Sequence, residues 1–207
     1  MRMHKQQKET AVQERRQEVR KMSEKQSLQE NNPPVVRLGR ELKYQGTILK
    51  IYEDQVIANG HECRWDFIHH DGAAAIIPVT EDGEILMVRQ YRNALDRYTL
   101  EIPAGKLDDP KEPTLDCAVR ELEEETGFKA KNVEFLISVN TTVAFCDEHI
   151  DIYLARDLVP SHQHLDEDEV ILVERWKLED LEELIYSGKI TDSKTIAAIL
   201  AYARKYR

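Results

Sequence analysis

Residues 35–103 alternate between apolar and polar positions, broken by short turn signals. Thr47 to Tyr52 repeats with a period of two, as a strand with one buried face does. Asn59-Gly60 signals a hairpin, because both residues tolerate the positive φ of a tight turn, and Arg64-Trp65-Asp66-Phe67-Ile68 reads as the returning strand. Gly72 to Val79 is apolar on both faces, which predicts a buried central strand. Asp82-Gly83 turns the chain again into Ile85-Leu86-Met87-Val88, and Tyr98 to Ile102 follows as a further strand.

After residue 112 the period changes. Leu115, Ala118, Val119 and Leu122 recur at spacings of three and four, predicting a helix with one apolar stripe. Pro113 fits its first turn and Gly127 its C-terminal stop. Val133 to Val139, His149 to Leu154 and Val170 to Trp176 read as strands. Two helices close the chain, Glu179 to Tyr186 before Gly188, and Asp192 to Tyr206 with Asp192 as N-cap. Strands interleaved with helices in this order predict an α/β (α+β) protein, a mixed sheet between helices in an α/β/α sandwich.

Residues 1–34 depart from this patterning. Gln, Glu, Lys and Arg dominate them, and Asn31-Asn32-Pro33-Pro34 closes the stretch, so it reads as a polar extension, helical or disordered. A strand region over 35–70 and a main domain over 71–207 complete the expected organisation. The 207 residues are 41% apolar and 33% charged, a soluble globular composition. The longest apolar run, Ala73 to Val79, is too short to span a bilayer. The polar N-terminus carries no signal-peptide pattern, which predicts a cytoplasmic protein. Cys63, Cys117 and Cys146 are odd in number and lack metal-site spacing, as expected of reduced thiols, and Cys117 reads as packing.

Net charge is −10. The extension holds eight basic and five acidic residues, leaving 21 basic against 34 acidic in the body. Such a body does not suit nucleic acid, whose phosphates need cationic neutralisation. It can still handle a small anionic substrate if a metal ion brings the positive charge.

Candidate chemistry centres on Arg120-Glu121-Leu122-Glu123-Glu124-Glu125-Thr126-Gly127. At about 100° per helical residue, Glu124 and Glu125 lie within about 60° and 40° of Glu121. Three carboxylates so crowded repel one another unless a cation sits among them. Hard Mg²⁺ takes oxygen ligands and shares them with phosphates. Upstream, Pro103-Ala104-Gly105 ends an apolar strand, so the Ala104 carbonyl can approach the same ion.

Gly105, Glu112, Arg120, Glu121, Leu122, Glu124, Glu125, Gly127 and Phe128 resemble the signature of the Nudix hydrolases, with six residues rather than five between Gly105 and Glu112. The order of segments over roughly residues 40–206 is similar to the ADP-ribose pyrophosphatase branch. It is carried by Asn59-Gly60, Gln90-Tyr91-Arg92, Leu100 to Lys106, Phe145-Cys146-Asp147-Glu148 and Asp192-Ser193-Lys194-Thr195. Thr142-Val143-Ala144 stand where that branch usually has Ser-Pro-Gly.

The resemblance implies a Nudix fold with added N-terminal antiparallel strands and a homodimer in which that strand region crosses to the partner. It implies Mg²⁺, with Mn²⁺ able to substitute, and cleavage of ADP-ribose to AMP and ribose 5-phosphate. The alternatives are a Nudix hydrolase of another nucleoside-diphosphate sugar and a non-catalytic ADP-ribose sensor. Glu121, Glu124, Glu125 and the Ala104 carbonyl are the expected metal ligands, and Arg120 orients the cluster by pairing with a carboxylate. Glu148 is the expected general base or water-positioner, with Asp147 the alternative and an ordinary surface role the competing reading. Gly105 is expected beside the substrate, Arg92 on a phosphate oxygen or at the surface, and Trp65 stacked on adenine or packed in the core. Trp176 is assigned to the core, and His69-His70 to a structural or solvent-facing role.

Overall fold

A computed structural model of the chain describes residues 35–167 and 169–207, so the extension expected over 1–34 lies outside the described residues. In chain order the strands are β1 (Val35–Gln45), β2 (Lys50–Ala58), β3 (His61–His69), β4 (Ala73–Pro78) and β5 (Ile85–Arg92). There follow β6 (Arg97–Glu101), β7 (Ala104–Lys106), helix α1 (Thr114–Thr126), β8 (Phe128–Asn140), β9 (His149–Pro160) and β10 (Ile171–Trp176). Helices α2 (Leu178–Tyr186) and α3 (Ser193–Tyr206) end the chain. The described residues divide into two compact units, 35–42 with 53–66, and 43–52 with 67–207.

Three sheets form, in the orders β1-β2-β3, β10-β5-β6 and β7-β4-β9-β8. The last is mixed: β4 runs parallel to β9, and β7 and β8 pair antiparallel to their neighbours. Asn59 and Gly60 take φ of 50° and 78° between β2 and β3, as the hairpin signal requires.

All six residues of β4 are buried, and its alternation explains the layering. Ala73, Ala75 and Ile77 pack with Ile85, Met87, Ile152, Leu181 and Ile199, the core under α2 and α3. Ala74 and Ile76 point the other way and pack with Cys117, Ala118 and Leu122 of α1. A strand apolar on both faces thus separates two helical layers, the predicted α/β/α arrangement. Trp176 packs at the edge of the first core, as expected.

Helix α1 differs from its sequence reading in two ways. Pro113 is the N-cap, with extended ψ of 129°, rather than part of the first turn. Its buried face is Cys117, Ala118, Glu121, Leu122, Glu125 and Thr126, while Leu115 and Val119 stay 41% and 38% exposed. The apolar stripe is rotated by the two carboxylates that the fold takes inside. Gly127 ends the helix with φ 72°, its N–H closing on the Glu123 carbonyl. Strands β8 and β9 run longer than their apolar patterns predicted, because their polar ends pair with each other from Phe128↔Pro160 to Asn140↔His149. Among the described residues no helix is long and apolar enough to cross a membrane.

Candidate active site

The site forms where β6 passes through Ile102-Pro103 into β7. That segment is pinned at each step. Ile102 donates its N–H to Thr195 Oγ1 at 3.0 Å, Pro103 accepts from Ile76 N at 2.9 Å, and Ala104 donates to Glu125 Oε2 at 3.0 Å. Register pairs Ala104 with Ala75 and Gly105 with Ala74. A Cβ built on Gly105 would stand 1.9 Å from Glu121 Oε1, so only glycine lets this backbone lie against that carboxylate.

Arg120 is the hub of the helix carboxylates. Its Nη1 donates to Glu121 Oε1 at 2.7 Å and to Glu124 Oε2 at 2.9 Å. Glu112 approaches the same guanidinium at 3.4 Å and accepts from Asp108 N at 2.8 Å. The extra loop residue therefore leaves Glu112 in reach of Arg120. Cys117 is fully buried and its thiol is pushed up to about 12 by burial, consistent with packing.

Glu121 and Glu125 are buried carboxylates. Burial pushes Glu121 up to about 7, opposed by Arg120 and reinforced by the charges of Glu124 and Glu169. Burial pushes Glu125 up to about 8, with the Glu121 charge next and Glu169 adding to it. Among the described residues the Glu125 carboxylate accepts from one backbone N–H, that of Ala104.

Two loops bear on the site, one lining a cavity with the β7 backbone and the other capping α1. The loop between β8 and β9 presents Glu148, whose carboxylate accepts from Thr141 Oγ1 at 2.7 Å. A cavity of about 340 Å³ joins Glu148 to Ala104 and Gly105, with His70, Thr141 and Lys194 also in its wall. Asp147 is turned aside: it meets His69 Nδ1 at 2.7 Å and accepts from His70 N at 2.9 Å. His69-His70 thus has the structural role expected, tying this loop to the end of β3. The loop between β9 and β10 caps the far end of α1, His164 N donating to the Glu124 carbonyl at 2.9 Å and Gln163 to the Glu125 carbonyl at 2.7 Å. It also carries Glu169, absent from the sequence reading, whose charge acts on both Glu121 and Glu125. An acidic run, Asp166-Glu167-Asp168-Glu169, was its only signal, and such runs usually mark solvated loops.

Arg92 forks onto Glu101, with Nε and Nη2 both at 2.8 Å. Glu101 also receives Lys194 Nζ and the Thr99 hydroxyl. Trp65, on β3, is 47% exposed and belongs to the 35–42 and 53–66 unit, outside the unit that holds the carboxylates.

The family model for the NUDIX domain matches residues 69–199, and the chain belongs to the Nudix family. It is 39% identical over 165 residues to an ADP-ribose pyrophosphatase of Bacillus subtilis, covering 78% of this chain and 89% of that one. It is 38% identical over 159 residues to a methanol dehydrogenase activator of Bacillus methanolicus, covering 75% and 85%. A solved structure titled as an ADP compounds hydrolase superposes with a TM-score of 0.74 at 22% identity, over 83% of this chain and 94% of that one, and shows the same fold.

Nudix hydrolases depend on divalent cations. The donor set fits such an ion: hard carboxylate oxygens, and in Glu125 a buried carboxylate met by a single N–H. Among the described residues no three acidic, histidine or cysteine side chains are gathered around one ion position. Arg120 is the counter-cation of Glu121 and Glu124 in this arrangement, so holding an ion requires those two carboxylates to turn from it.

Proposed function

We propose that the chain hydrolyses the pyrophosphate bond of ADP-ribose to AMP and ribose 5-phosphate, with Mg²⁺ as its ion and Mn²⁺ able to substitute. The observation that carries this reading is the 39% identity to an ADP-ribose pyrophosphatase over most of both chains. The buried, cation-seeking carboxylates of α1 agree with it. Glu121, Glu124, Glu125 and the Ala104 carbonyl would hold the metal, which when bound neutralises charge on the two phosphates.

The remaining roles fall to the protein. Arg120 holds Glu121 and Glu124 together in the metal-free arrangement and releases them to the ion. Glu148, steadied by the Thr141 hydroxyl and facing the cavity, takes the proton of the attacking water at its carboxylate. Gly105 lies in the wall of the same cavity, where its backbone can stand beside the substrate. Arg92 offers its remaining Nη1 to a phosphate oxygen, since Nε and Nη2 are committed to Glu101. Within its own unit, the half-exposed indole of Trp65 offers a face on which adenine can stack, as aromatic faces bind bases without reading an edge. The working form in this reading is a cytoplasmic homodimer.

A second reading, hydrolysis of another nucleoside-diphosphate sugar, is favoured by Thr142-Val143-Ala144 in the loop that carries Glu148. Nucleotide release from ADP-ribose, ADP-glucose and GDP-mannose, measured with Mg²⁺, tests the two. The proposal expects AMP from ADP-ribose at the highest kcat/KM. A higher value for another compound selects the second reading, and tight binding without release would mark a sensor.

A further inference from the structure

Helix α3 begins against the site through side chains that the reaction as described leaves unused. Asp192 caps the helix by accepting from Thr195 N at 3.0 Å. Lys194, in the first turn, is buried with 10% of its side chain exposed. Its ammonium meets Glu101, and Asp192 at 3.0 Å. Thr195 is fully buried and its hydroxyl accepts the N–H of Ile102. The first turn of α3 therefore holds residues 101 and 102, three and two positions before the backbone that meets Glu125.

Arg92 forks onto both oxygens of Glu101, and Thr99 donates to it as well. Lys194 bridges the same carboxylate to Asp192, so its ammonium ties the N-cap of α3 to the end of β6 in the wall of the site.

We infer that Lys194 and Thr195 are positioning residues: together they fix the Glu101–Ala104 segment so that Ala104 and Glu125 stand in register to hold a divalent cation. The inference rests on the metal-dependent reading above and deepens it. The two side chains act on neighbouring residues of one segment, Lys194 on the Glu101 side chain and Thr195 on the Ile102 backbone. Loosening either one lets Ala104 slide against Glu125. Supporting groups behind metal ligands typically change metal affinity by about 10- to 100-fold when removed.

The sign of the effect separates positioning from charge. The Lys194 ammonium is a cation in the wall of the cavity that Ala104 also lines. If charge alone mattered, Lys194→Met would remove a repulsion between two cations and tighten metal binding. If Lys194 positions the segment, the same change weakens it.

The experiment is a titration of the full-length protein with Mn²⁺ alone, read by electron paramagnetic resonance, for Lys194→Met, Thr195→Val and Thr195→Ser. Size exclusion and circular dichroism select folded samples, and Thr195→Ser keeps the acceptor if the valine variant does not fold. We expect Lys194→Met and Thr195→Val to raise the Mn²⁺ Kd by about tenfold or more, with Thr195→Ser within about threefold of wild type. Turnover should show a reduced kcat at an unchanged KM. An unchanged or lowered Kd for folded Lys194→Met, or a serine variant as weak as the valine one, overturns the inference. The Mn²⁺ titration needs no substrate, so a wild type that binds Mn²⁺ but leaves ADP-ribose intact would contradict the proposed activity and still decide this point.

Discussion

Gly105 and Glu121 touch so closely that a methyl group on the glycine would lie 1.9 Å from one carboxylate oxygen and 2.1 Å from Cδ. The backbone of β7 and the side chain of α1 share one space. The obstructing atoms are the end of a flexible side chain, so the fold can give way there at little cost while the site cannot.

Gly105→Ala should therefore fold normally and lose activity. Displacing Glu121 breaks its 2.7 Å bond to Arg120 and removes one expected metal ligand. We expect kcat to fall by about 10²-fold or more, with the thermal midpoint moved by only a few degrees. Circular dichroism melts beside steady-state rates check both halves.

Glu125→Gln separates charge from shape. The amide is isosteric and keeps an acceptor for the Ala104 N–H, but it withdraws a negative charge from a buried position. We expect turnover to drop by orders of magnitude and the metal-free thermal midpoint to stay level or rise. Unchanged turnover with normal Mg²⁺ dependence would remove Glu125 from the ligand set.

Much of this was legible in the sequence, for physical reasons that differ by element. Strand β4 gave itself away because a strand buried on both faces has no polar positions, and α1 because its carboxylates crowd beyond what water tolerates. Asn59-Gly60 and Gly127 were readable because few residues accept positive φ. The outward turn of Leu115 and Val119 was hidden: periodicity reports an apolar stripe, whereas here two glutamates displaced part of it from the core. Glu169 was not read from the sequence, and Lys194 only as part of the Asp192–Thr195 segment, because each acts across a long sequence separation. Lys194 meets Glu101 through tertiary folding, which no local spacing encodes.

Two loop carboxylates should behave differently. Glu148 faces the cavity beside Ala104 and Gly105, whereas the charge of Glu169 is felt by Glu121 and Glu125. Glu148→Gln should lower kcat by about 10²- to 10⁴-fold and leave Mn²⁺ affinity unchanged. Glu169→Gln should alter Mn²⁺ affinity itself. A Glu148→Gln enzyme within threefold of wild type would transfer the proton-accepting role away from that residue.

The Glu101 cluster predicts a pH dependence of stability. Burial opposes ionisation of Glu101, but Arg92 and Lys194 outweigh it and hold the carboxyl at about 2, below its ordinary 4.5. A depressed carboxyl contributes stability that is complete above the unfolded value and lost as pH falls through the folded one. Thermal midpoints should therefore decline between pH 4.5 and about 2. Arg92→Met should destabilise the protein at pH 7 and distinctly less near pH 2.5, where its partner is being neutralised. An equal cost at both pH values would contradict the assignment.

The carboxylates of α1 are proposed to form a divalent-cation site. Anomalous diffraction from a crystal of the protein soaked in Mn²⁺ tests it most directly. The prediction is a peak bounded by Glu121, Glu124 and Glu125, with Glu121 and Glu124 turned away from Arg120. Full Mn²⁺-dependent turnover in solution with the peak located elsewhere, and Glu121 and Glu124 still on Arg120, would contradict it.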